Sequence, residues 1–174
     1  MHKNFELKVL ATNWGYKGSV DQYCAHVKKE GYDGIEIWWP LDKQQQDEMF
    51  AALKKYQLEV GFLAAGDQPD FRDHLDHFKQ MIGAAAHNTV QRPIYINCHS
   101  GRDFFSFEQN QAFIDHTLSL SAETGILILH ETHRSSVSLT SSLANPSSPS
   151  CPEIARRNVL ARPRVTCCSS FVTR

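Results

Sequence analysis

No apolar run in the chain approaches the roughly 20 residues that a membrane-spanning helix needs. The opening residues, Met1-His2-Lys3-Asn4-Phe5-Glu6, carry no apolar segment of the secretory kind. Together these absences predict a cytoplasmic protein with no membrane partner. Five cysteines, Cys24, Cys98, Cys151, Cys167 and Cys168, are odd in number and follow no ligand spacing. They predict reduced thiols, neither a disulfide framework nor a zinc cage. The glycine-rich turns that cradle phosphates, Gly-x-Gly-x-x-Gly or Gly-x-x-x-x-Gly-Lys, are missing after the first apolar run. Cations are scarce as well: residues 1–133 hold 12 Lys and Arg against 18 Asp and Glu. An acidic body of this kind argues against a nucleic-acid surface, which needs clustered positive charge.

What is present, up to residue 133, is an alternation of short apolar runs with amphipathic stretches. The runs are Leu7 to Thr12, Gly34 to Trp39, Leu58 to Ala64, Pro93 to Cys98 and Gly125 to Glu131. Between them lie helix signals. Ser19 with Gln22, Asp42 with Gln45, and Ser106 with Gln109 mark helix starts of the capping-box type, and a third helix opens near Asp70. Apolar residues recur at helical spacing: Val20, Tyr23, Cys24 and Val27, then Met49, Phe50, Leu53 and Tyr56. The later helices carry Phe71, Leu75, Phe78 and Ile82, then Phe113, Ile114, Leu118 and Leu120. One helix in each connection makes the strands parallel, with right-handed crossovers. The pattern predicts an α/β fold of about five parallel strands and four helices. A doubly wound open sheet and a (β/α) barrel both satisfy it. Polar and aromatic residues at the strand C-terminal ends favour the barrel, which builds its active site there.

Glu131 closes the fifth run. If Leu127 and Leu129 point into the barrel, alternation sends Glu131 inward too, at the open mouth. A carboxylate there is paired at the rim, protonated or bound to a metal. His99 ends the fourth run, and Ser100-Gly101 after it lets the backbone turn close to a ligand. A histidine hydrogen-bonded among loop residues is the plainer alternative. Alternation puts His133, rather than His130, on the face of Glu131, and leaves His130 a structural role. Glu36, between Ile35 and Ile37, is either in the polar upper layer of the barrel or paired. Trp38 and Trp39 offer a wall for a sugar ring, with ordinary packing expected of at least one. His74 and His77 are expected to form a solvated pair on the third helix.

Three segments carry a resemblance. Gly31-Tyr32-Asp33-Gly34-Ile35-Glu36-Ile37-Trp38, Ile96-Asn97-Cys98-His99-Ser100-Gly101-Arg102-Asp103, and Thr124 to Arg134 with its Leu129-His130-Glu131-Thr132-His133 core resemble the sugar isomerase/epimerase group. That group belongs to the xylose-isomerase-like barrel superfamily, which also includes metal-dependent apurinic endonucleases. The resemblance covers roughly residues 7–136. It implies that Glu131 is a divalent-metal ligand and, with His99, catalytic. Glu36, Trp38, Arg102 and His133 are the substrate-binding candidates. The implied activity is isomerisation or epimerisation of a small sugar or sugar phosphate. The implied cofactor is Mg²⁺ or Mn²⁺, with Zn²⁺ the choice of a histidine-rich site.

Past Ser136 the resemblance stops. Residues 134–174 hold ten serines, six arginines and one glutamate, with no Lys, Asp or His and a single aromatic, Phe171. The family's further Asp, His and second Glu ligands have no counterpart there. This composition predicts a domain over residues 1–136 and, over 137–174, a tail that is disordered or out of frame. It also predicts weak or absent metal binding, impaired or absent activity, and self-association through an open barrel edge. A non-catalytic barrel fragment and an endonuclease-like hydrolase are the alternative functions.

Overall fold

The computed structural model describes residues 6–131. The expected tail, His133 and the boundary at residues 136 and 137 lie outside them. Nine elements alternate without exception: β1 (Leu10–Thr12), α1 (Val20–Lys29), β2 (Gly34–Trp38), α2 (Lys43–Tyr56), β3 (Glu59–Ala65), α3 (Phe71–Ala86), β4 (Tyr95–His99), α4 (Phe107–Thr124) and β5 (Leu127–His130). They form one sheet in the order β1-β2-β3-β4-β5, with every pairing parallel. That order decides between the two architectures. A doubly wound sheet reverses its strand order at a switch point, whereas a barrel adds each strand beside the last. The described residues are a segment of a TIM-type barrel.

The helices start where their capping residues predict. The Ser19 and Ser106 hydroxyls accept from the backbone N–H of Gln22 and Gln109, and both glutamines reach back to close the box. Asp42 caps α2 through Gln45, and Asp70 caps α3 through the N–H groups of Arg72 and Asp73. Among the described residues no helix is long and apolar enough to cross a membrane.

Strand alternation divides the sheet into two faces. Ala11, Ile35, Val60, Phe62, Ala64, Ile96 and Cys98 face the helices and join Val27, Leu53, Phe78, Ile82 and Phe113 in the main core. Each large side chain buried there contributes about 1.5–3 kcal/mol. The opposite, barrel-inner face carries Thr12, Glu36, Gly61 and Tyr95 across one level of the pairing register. Trp38, Leu63, Asn97 and Leu129 follow at the next level, then Ala65 and His99.

Two packing expectations change. His74 is fully buried on α3, not solvated. Its ring meets Phe105 and Phe113 edge-on, at centroid distances of 5.5 and 5.1 Å. Spacing explains this: His74 is three residues past Phe71 and four before Phe78, on the apolar face. On α4 the fully inward position belongs to Thr117 rather than Leu118, because the Thr117 hydroxyl hydrogen-bonds the half-buried His130.

Candidate active site at the strand C-terminal ends

Glu131 follows β5, and its N–H donates to the Cys98 carbonyl at 3.0 Å, continuing the ladder by one residue. Its side chain therefore falls on the inner face, beside those of β4. There the Glu131 Oε2 accepts from His99 Nε2 at 2.9 Å and from Asn97 Nδ2 at 3.1 Å. A carboxylate oxygen can only accept, so His99 carries a proton on Nε2. Trp38, on the same face of β2, meets the His99 ring edge-on at 5.3 Å. The pair is open to solvent, with the His99 side chain 20% and the Glu131 side chain 39% exposed. The structure thus brings together Glu131, His99 and Trp38. Asn97 is the member that sequence reasoning missed, although it lies two residues before His99 and alternation puts it on the same face.

The other expected residues are distributed around this group. Glu36 is 5% exposed and accepts a hydrogen bond from the Tyr95 hydroxyl. It faces the inner side, but two levels of the register below the His99 level, so it forms the floor and not the rim. Tyr95 is the second partner the sequence reading did not single out. Arg102 lies in the β4–α4 loop and donates from Nη2 to the Gly66 carbonyl just past β3, at 3.1 Å. The Asn110 amide clamps that loop: its Nδ2 donates to the carbonyls of Arg102 and Phe105, and its Oδ1 accepts from the Arg102 N–H. Gly101 turns with φ +67°, as close turning after His99 requires. Trp39 points to the helices and packs on Phe50 and Phe62, so of the two tryptophans only Trp38 is at the site.

His130 holds the far side of the same strand end. Thr117 Oγ1 gives its hydrogen to the Ile114 carbonyl at 2.8 Å, so it must accept from His130 Nε2–H at 2.6 Å. His130 Nδ1 then accepts from the Ser100 hydroxyl at 2.7 Å. Burial pushes its pKa down to about 4, which keeps the ring neutral. The structural role expected of His130 is what the contacts show. Cys24, buried among apolar residues, has its thiol pKa pushed up to about 11 by that burial, and burial raises Cys98 too. Neither behaves as a nucleophile.

Divalent ions take four to eight donors. Glu131 and His99 supply two, already engaged with each other, and among the described residues no three His, Cys, Asp or Glu side chains converge as a metal site. This donor set does not fit a divalent ion by itself. What it can do is hold one carboxylate in a fixed orientation at an open rim, beside an aromatic wall.

No family model matches the chain, and no curated protein matches it. Among solved structures it is similar to an AP endonuclease, family 2, from Brucella melitensis, with 16% identity, a TM-score of 0.48, and coverage of 71% of this chain and 54% of that one. It is also similar to an aldo-keto reductase enzyme from a Medee basin deep-sea metagenome library, at 14% identity and TM-score 0.45 over 73% of this chain and 44% of that one. A pyruvate carboxylase from Rhizobium etli, solved with the allosteric activator acetyl coenzyme-A, gives 12% identity and TM-score 0.47 over 73% of this chain and 12% of that one. The chain therefore spans about half the length or less of the structures it is similar to. Its own consecutive strand order makes the described part a segment of a parallel (β/α) barrel.

Proposed function

We propose that the chain carries part of the active site of an isomerase or epimerase acting on a small sugar or sugar phosphate. The observation that supports this is the Glu131 carboxylate, hydrogen-bonded by His99 and Asn97 at adjacent strand ends and bordered by Trp38. Aldose–ketose isomerisation and epimerisation both begin by removing a proton from a carbon next to a carbonyl. Glu131 is placed to take it as general base, with a free solvent-facing approach. The hydrogen bonds from His99 and Asn97 fix the direction of the carboxylate. Trp38 gives the C–H face of a sugar an apolar surface and shields that side from water. In the family that the sequence resembles, a divalent ion, Mg²⁺ or Mn²⁺ with Zn²⁺ the alternative, holds adjacent substrate oxygens. Among the described residues two donors are too few, so weak metal binding and slow turnover are expected.

Proton exchange tests the reading. A panel of neutral and phosphorylated ketoses is incubated with the full chain and Mn²⁺ or Mg²⁺ in D₂O, and loss of the C–H signal beside the carbonyl is followed by NMR. Slow exchange that disappears in Glu131→Gln is expected. Exchange that is absent for every sugar, or unchanged by Glu131→Gln, rejects the assignment. Calorimetric titration with Mn²⁺ is expected to show weak binding, and tight 1:1 binding would overturn that part.

A further inference from the structure

At the carboxyl ends of β1 and β2, between the starts of α1 and α2, lies a cleft of about 740 Å³. That volume is in the range of small-molecule sites. His99, Asn97 and Glu131 are not among its lining residues, so the cleft is a site of its own beside theirs. Its walls include the rings of Tyr16, Tyr23 and Trp38. Tyr16 and Trp38 are 40% and 39% exposed, and Tyr16 is tilted against Tyr23 with ring centroids 5.0 Å apart.

Charge is the first feature that selects a ligand. Asp42 and Glu48 line the cleft, whereas no Lys, Arg or His does. Among the described residues neither carboxylate takes part in an ion pair. Each gives one oxygen to a neutral donor: Asp42 Oδ1 accepts from the Gln45 N–H at 2.9 Å, and Glu48 Oε1 from Gln44 Nε2 at 2.9 Å. Those bonds orient the two charges without neutralising them. Lys43, next to Asp42, is held instead by Asp47 at 2.6 Å. The second feature is Tyr23, which is 2% exposed, yet its hydroxyl has no hydrogen-bond partner among the described residues. Burial raises its pKa, so the hydroxyl keeps its proton and is a donor in need of an acceptor.

Carboxylates and aromatic faces attract the same kind of partner. The face of a ring carries negative charge density, which draws an alkylammonium onto it, and the carboxylates add their own attraction. A neutral polyol gains nothing from those charges, and an anion is repelled by them. A bare metal ion finds too few donors here and leaves the aromatic walls unused. We infer that this cleft binds a small organic cation of the hydroxyl-bearing alkylammonium class, its charged head among Asp42, Glu48 and the faces of Tyr16 and Trp38 and its oxygen toward Tyr23. The site stands apart from the isomerase reading, because the Glu131 carboxylate plays no part in it.

The test reads binding alone. The full chain is titrated at constant ionic strength with choline and with its uncharged isostere, 3,3-dimethylbutan-1-ol. The Trp38 indole N–H signal, assigned with Trp38→Phe, is followed by NMR. Choline is expected to shift that signal and to bind roughly tenfold more tightly than the isostere. Asp42→Asn combined with Glu48→Gln removes both charges and keeps both acceptors, asparagine being as good a helix cap as aspartate. The double variant is expected to bind the two probes within about threefold of each other, because the charge that tells them apart is gone. Tyr23→Phe is expected to weaken choline by about threefold to tenfold and to leave tetramethylammonium, which has no hydroxyl, unchanged. The isostere, held by the walls alone, reports that a charge variant keeps its cleft, and tetramethylammonium does so for Tyr23→Phe. Equal binding of choline and isostere by wild type overturns the assignment, as does a choline titration that leaves Trp38 unmoved. A double variant that retains the full preference, or a Tyr23→Phe variant that binds choline as wild type does, also overturns it.

Discussion

His130 and Glu131 are consecutive residues doing opposite things, and the difference is one of environment. Glu131 reaches solvent on the inner face, while the His130 ring is enclosed between Ser100 and Thr117. Burial holds the folded-state pKa of His130 near 4, below the ordinary value of 6.5. In the unfolded chain the ring takes up a proton as pH falls through 6.5, and in the folded chain it does not until about 4. The stability it provides is therefore full above pH 6.5 and is lost as pH drops toward 4. The loss amounts to about 3 kcal/mol at most. Burial also lowers His74 and His116, which add in the same direction. Urea unfolding between pH 7 and 4 should show a shallower decline for His130→Gln than for wild type, and equal slopes would refute the effect. Gly66 offers a second check. A Cβ there would lie 2.5 Å from His74 Nε2, in a ring that is fully buried and cannot retreat. Gly66→Ala is predicted to lower stability by about 1–3 kcal/mol, the usual cost of overpacking. An unchanged urea midpoint would show that the ring does yield.

At the scale of elements, the parts legible in the sequence are those set by local chemistry. All four helix starts follow from a side chain that accepts from the first-turn backbone, and none needs tertiary information. Replacing one such acceptor costs about 1 kcal/mol. Ser106→Ala should cost that much, with faster hydrogen exchange confined to the first turn of α4. Unaltered exchange at Gln109 would contradict the cap. Strand ends were less legible, because a neighbour decides them. The first run begins at Leu7 in sequence, yet β1 starts at Leu10. Before it, Asp33 brackets Val9, accepting its N–H with Oδ2 at 2.7 Å and donating its own N–H to the Val9 carbonyl at 3.0 Å. No local pattern announces a side chain standing in for a ladder partner. The site followed the same division. Alternation placed Glu131, and its proximity to His99 needs only adjacent parallel strands. The Glu36–Tyr95 pair needs the register of three strands, and the burial of His74 needs the apolar face of α3 to be placed correctly, since Phe71 and Phe78 put His74 on it.

For the whole molecule, the consequence of five strands in consecutive order is a sheet with two ends. Among the described residues β1 pairs only with β2 and β5 only with β4. The inner face is not uniformly buried: Leu63 is 1% exposed, but Trp38 and Leu129 on the same register level are each 39% exposed. Leu129 lies on β5, at the edge of the described sheet, where backbone groups with no strand partner among the described residues coincide with apolar surface. Such an edge is a template for another strand, and a second copy of the chain presents the same edge in matching chemistry. Within β5, Leu127, Ile128 and Leu129 carry no charge, and charge is the usual device for keeping edges apart; among the described residues of this edge the carboxylate of Glu131 lies past the strand's end. Sedimentation velocity of the full chain is therefore expected to show concentration-dependent association. Leu129→Asp places a charge at the contact and removes the burial of one leucine, about 1.5–3 kcal/mol, which weakens association roughly tenfold to a hundredfold. Because Leu129 already lies partly in solvent, the substitution should leave the helix-facing core and the thermal midpoint largely unchanged. A chain that sediments as a monomer at every concentration, or a Leu129→Asp variant that associates as strongly as wild type, would show that this edge is not where copies meet.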